Sequence, residues 1–199
     1  MSELLTYMHL GFHHVASPGA LDHILFLLAL AAVYRPRDWR ESLWVITAFT
    51  IGHSLTLVLV VTRVVELPGR WIEFLIPMTI VLTCAGNLLS AREGTPEPGR
   101  RRAIYAALFG LVHGAGFADY LRSMFLDHIA VPLLGFNFGI EAGQILVLTL
   151  TAALLWCGDR LLGGLATHAA TTGFRRRVVL VSLVAGVMAS GMAFDRFPH

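Results

Sequence analysis

Residues 42–62 read SLWVITAFTIGHSLTLVLVVT. The run contains no Arg, Asp or Glu, and its length matches the ~20 residues that a helix needs to cross bilayer hydrocarbon. Its one ionisable group, His53, sits in the middle. The apolar run poses the fold and the histidine poses the function.

Similar runs recur on both sides. Together with Ser42–Thr62, the stretches Pro18–Tyr34, Arg70–Ala91, Ala103–Leu121, Ala130–Gly158 and Arg177–Phe194 read as spans, and the preceding Leu4–His14 reads as a half-helix at the interface. The expected fold is therefore all-α: a single membrane domain over residues 1–199, with about six transmembrane helices and a short N-terminal interfacial helix. Composition agrees, since 56% of the 199 residues are hydrophobic and only 14% are charged. Soluble domains carry about a quarter charged residues. A net charge of +2 gives no reason to expect nucleic acid. Cys84 and Cys157 lie inside apolar runs without metal-ligand spacing, as buried free thiols do. The N-terminus has Glu3 and no Arg before an apolar core, so no cleavable signal peptide is expected. No convincing internal repeat is visible.

Every cationic side chain is Arg. Arg35, Arg37 and Arg40 follow the first span, Arg92 and Arg100–Arg102 the third, and Arg160 and Arg175–Arg177 the fifth. Alternate loops hold only Arg63, Arg70 and Arg122. The positive-inside rule then places the arginine-rich loops in the cytoplasm and both termini outside.

Ionisable groups within spans cost several kcal/mol unless paired, and so mark function. Asp22 and His23 open the first span, with His13 and His14 just upstream. His53 lies in the second, His113 in the fourth and Glu141 in the fifth. Counting ~1.5 Å per residue along alternating helices brings all four spans' polar groups to one level in the outer half of the membrane. Asn137, Glu141 and Gln144 follow i, i+4, i+7 and share a face. Imidazoles and carboxylates without thiolates suit Ni, Co or Zn. The expected ligands are His23, His53, His113, Glu141, Asp22 and His14, with Ser54, Asn137 and Gln144 supporting them. A single histidine in a span is more often a packing residue, and Thr47, Thr50 and Ser54 can bond to their own helix. Glu73 and Asp119, near the outer ends of their spans, rank below Glu141. His9, His128, His168 and His199 are expected in solvent, and His168–Thr172 in a loop.

Four segments carry a family resemblance. They are Gly19-Ala20-Leu21-Asp22-His23-Ile24-Leu25-Phe26, Phe49-Thr50-Ile51-Gly52-His53-Ser54-Leu55-Thr56, Phe109-Gly110-Leu111-Val112-His113-Gly114-Ala115-Gly116-Phe117 and Phe136-Asn137-Phe138-Gly139-Ile140-Glu141-Ala142-Gly143-Gln144. In this order they resemble the HupE/UreJ family of hydrogenase and urease accessory membrane proteins, nearer its broader second branch. Glu73 and Asn87 also look like family positions. The resemblance covers about Pro18–Gln144 and implies a nickel or cobalt permease of the bacterial inner membrane. Asp22-His23 and Gly52-His53-Ser54 are also similar to the larger nickel/cobalt transporters. Those have a histidine four residues ahead of the Asp-His pair, where this chain has Ser17.

Three functions compete. A permease captures the metal through neutral imidazoles, so capture weakens as pH falls through the histidine range. Its partners are membrane lipid and the metal ion, and so small a bundle calls for a homo-oligomer to complete a transport cycle. A metal-dependent intramembrane hydrolase instead uses a metal-bound water, with Glu141 or Asp22 as general base. Haem held between His53 and His113 leaves Asp22 and Glu141 without a role. A polar path continuing inward favours transport. Beyond Gln144 the fifth span is almost wholly apolar, so the inner half is expected to be closed.

Overall fold

In hydrocarbon, every backbone N–H and C=O must be satisfied within its own segment, so apolar runs of this length fold as helices. A computed structural model describes residues 2–93, 99–124, 129–163 and 169–198. Its helices are α1 (Glu3–Ala16), α2 (Leu21–Ala31), α3 (Trp39–Val61), α4 (Gly69–Glu93), α5 (Gly99–Met124), α6 (Ala130–Gly163) and α7 (Ala169–Asp195). The all-α membrane bundle is as expected. Asp119's side chain, His128, His168 and His199 lie outside the described residues. Residues 169–172, expected in a loop, already belong to α7.

Four helices, α3, α4, α6 and α7, are individually long and apolar enough to cross a membrane. The fourth expected span, α5, is 26 residues long but less apolar. Its uncharged stretch runs only from Ala103 to Ala118 and is diluted by His113 and three glycines. Taken together, α1 and α2 also pass, as one broken span bent by 68°. Pro18 explains the break: it lacks a donor N–H and drives Ser17 away from helical angles. Ser17 accordingly adopts an extended conformation and closes α1 by donating its N–H to the His13 carbonyl.

Rather than lying free at an interface, α1 packs lengthwise on α6. Added Cβ atoms at Gly135 and Gly139 would strike the carbonyls of Leu4 and Met8, and one at Gly11 would strike that of Phe136. The register rises along both helices, so they run parallel. The pair α3 and α5 repeats this arrangement. Gly52 faces the Ala107 carbonyl, while Gly110 and Gly114 face those of Phe49 and His53. Small residues allow such close approach, which stabilises helix pairs where no hydrophobic effect operates. The two pairs run in opposite senses: His53 meets Phe136, whereas Leu43 lines a cavity with Leu148.

Helices α4 and α7 pack antiparallel, with Cys84 against Gly186. Asn87 donates from Nδ2 to the Ala29 carbonyl at 2.8 Å and to Ser182 Oγ at 3.3 Å, tying α2 to both. Leu154 and Val187 are each more than 70% exposed, and such large apolar side chains line the bundle's outside. In water that is an aggregation hazard; in lipid it is solvation.

Candidate metal centre

The α1–α2 break puts His14 at the end of one half-helix and His23 at the start of the next. Their ring centroids are 4.7 Å apart. From α3, His53 comes within 5.8 Å of His14 and 6.3 Å of His23. From α5, His113 stands 5.1 Å from His23. Four histidines on four helices thus share one cluster. His23, His53 and His113 are 5%, 0% and 1% exposed. Phe117 lies 4.0 Å from the His14 ring and stacks on Phe136, while Phe49 lies 5.1 Å from His113. Beside the rings, Ser17, Asp22 and Phe117 help line a cavity of about 270 Å³ that reaches His14, His23 and His113.

Hydrogen bonds set two of the ring tautomers. Asp22 Oδ1 lies 3.1 Å from His23 Nδ1 and also accepts the His23 backbone N–H at 2.9 Å. A carboxylate accepts, so Nδ1 carries the proton and Nε2 keeps a lone pair. Thr79 donates its hydroxyl proton to the Ile76 carbonyl at 2.7 Å, leaving its oxygen to accept from His113 Nε2 at 3.0 Å. His113 Nδ1 is then the bare nitrogen. His14 Nε2, His23 Nε2, His113 Nδ1 and both nitrogens of His53 are buried without a hydrogen-bond partner. An unsatisfied buried polar atom costs about 1–3 kcal/mol. One nitrogen of a neutral His53 carries a proton, so at most four of the five offer lone pairs, gathered in one buried cluster.

Asp22 belongs to this group and also meets Arg196 Nη1 at 3.8 Å, a partner that sequence reasoning missed along with Thr79. Glu141 is set apart. It accepts a hydrogen bond from Thr47 Oγ1 at 3.0 Å. Thr47 precedes His53 by six residues, a rise of roughly 9 Å along α3. Beside it, Thr50 Oγ1 donates to Gln144 Oε1 at 2.9 Å, and the buried Asn137 Oδ1 has no partner. Ser54 spends its proton on the Thr50 carbonyl at 2.7 Å. His13 is exposed and pairs with exposed His9, and Glu73 is exposed. Cys157 is exposed, and Cys84 is buried in the α4–α7 contact. Among the described residues, no group of three or more His, Cys, Asp or Glu stands where it could hold a metal ion.

A family model described as HupE / UreJ protein matches residues 1–196. The chain belongs to the HupE/UreJ family. That family is associated with nickel/cobalt transport or accessory function. The match reaches beyond the four segments read from sequence, taking in the whole of α1 with His14 and extending through α7 to Arg196. No curated protein and no solved structure matches this HupE/UreJ chain.

Proposed function

We propose that this protein is a permease for a borderline divalent cation, Ni²⁺, Co²⁺ or Zn²⁺, with both termini outside a bacterial inner membrane. The observation that carries the reading is the set of five partnerless ring nitrogens on His14, His23, His53 and His113. Imidazole nitrogens without thiolates are the donors these ions share. Asp22 and Thr79 hold two rings by their far nitrogens, the support that ligating histidines usually receive. Holding the ion would require the rings to turn toward it from their present positions.

Two features favour transport over hydrolysis. The cavity beside the histidines is polar and opens past Asp22, as an entrance for a cation would. On the far side of His53, polar pairs continue along α3 and α6, Thr50 with Gln144 and then Thr47 with Glu141. A hydrolase needs a free acid beside a metal-bound water. Asp22 is engaged by His23 and Arg196, and Glu141 lies below the cluster.

Metal content of the purified protein after loading and desalting tests the reading, alongside radiometal uptake by proteoliposomes. Wild type is expected to retain metal and to take it up. His53→Ala is expected to retain at least tenfold less, and His23→Ala and His113→Ala should also lose metal. Equal metal in wild type and all three variants sinks the shared site, and uptake no faster than empty vesicles sinks the permease.

A further inference from the structure

At the opposite end of the bundle from Asp22 lies a second cavity, of about 330 Å³. One wall is a face of α6, with Ile145, Leu148, Ala152 and Leu155 recurring at helical spacing. From Ile145 to Leu155 this wall rises ~15 Å, half the hydrocarbon thickness and so the reach of one leaflet's acyl chains. Ile145 and Ala152 are exposed, so the groove is open to the surroundings of the bundle. Tyr34, Arg35 and Arg177 gather at its charged end.

The two arginines differ in their engagements. Arg177 is engaged at all three nitrogens: Nη1 meets Asp159 Oδ2 at 2.6 Å, Nη2 donates to the Tyr34 carbonyl at 2.9 Å and Nε to that of Ala32 at 3.2 Å. The Arg35 guanidinium rests on the face of Phe174, 4.4 Å from its centroid, and has no carboxylate partner among the described residues. Asp38 is taken by the Arg35 backbone N–H and by Arg37. Among the described residues, no acidic side chain lines the cavity. Asp159 offsets Arg177, but the charge of Arg35 has no such partner and disfavours a divalent cation here.

We propose that this groove holds one anionic glycerophospholipid, its acyl chain along α6 and its phosphate at Arg35. The apolar wall and the unpaired guanidinium match the two ends of that molecule, and basic pockets between helices are known to recruit such headgroups. A zwitterionic lipid fits the wall equally well but brings its own cation to Arg35.

Native mass spectrometry of the full chain in detergent, with phosphatidylglycerol and phosphatidylcholine of equal chain length, tests this. Wild type is expected to hold one phosphatidylglycerol in preference to phosphatidylcholine. Arg35→Gln is expected to lower that preference roughly fivefold, as removal of one arginine contact should. Arg37→Gln makes the same charge change at a side chain that is 75% exposed and outside the groove, and is expected to leave the preference intact. Ala152→Phe, at an exposed position, is expected to fill the groove and remove the one-to-one adduct of both lipids. Equal retention of the two lipids by wild type overturns the proposal. So does an equal effect of the two arginine variants, or an undiminished adduct in Ala152→Phe. If Ala152→Phe fails to fold, the contrast between Arg35→Gln and Arg37→Gln decides alone.

Discussion

Thr79 touches the candidate centre through His113 Nε2. Because its proton goes to the Ile76 carbonyl, its oxygen can only accept, and that fixes the protonated nitrogen of His113. Thr79→Val keeps the shape and removes the acceptor. It is expected to weaken metal binding by roughly tenfold, the lower end for outer partners of ligating histidines. Thr79→Ser should stay near wild type, and titration calorimetry on both variants checks the pair. His23, His53 and His113 were legible in the sequence because each interrupts an apolar run, where an ionisable group is costly. Thr79 was not, since a threonine in an apolar helix ordinarily satisfies itself by bonding back one turn. Glu141 was legible as an intramembrane acid, but its distance from the histidines was not. Counting residues gives the depth of a Cα, whereas helix crossing and side-chain direction decide which partner a carboxylate reaches.

Among the elements, the two parallel pairs α1–α6 and α3–α5 show what the sequence concealed. Phe109-Gly110-Leu111 with Gly114 and Phe138-Gly139-Ile140 with Gly143 share a pattern that serves the same contact in both pairs. Six residues are too few to stand out as a repeat, and the partner glycines Gly11 and Gly52 lie far away in sequence. The two pairs are opposed in direction. Gly110→Leu has to displace the α3 backbone at Phe49, where no flexible side chain can yield. It is expected to cost about 1–3 kcal/mol or more and to lower the melting temperature measured in detergent. Gly191→Ala, with open space around it, is expected to leave that temperature unchanged. The long apolar helices were readable from composition. The bend at Pro18 was readable in kind, as a half-helix ahead of a short span, but the docking of α1 on α6 depends on a contact across most of the chain.

For the molecule as a whole, the proposed metal binding draws on the lone pairs of neutral imidazoles. The broken first span also bears on how the protein is made. At 14 and 11 residues, α1 and α2 are each too short to be inserted as an independent span of ~20 residues. The glycine ridge that receives α1 begins only after Ala130 has been synthesised. At ~5–20 residues per second, His14 waits on the order of ten seconds for the helix that seats it. The cluster is therefore completed only late in translation, and nascent chains arrested before α6 should emerge without a competent site, however well their other helices are inserted.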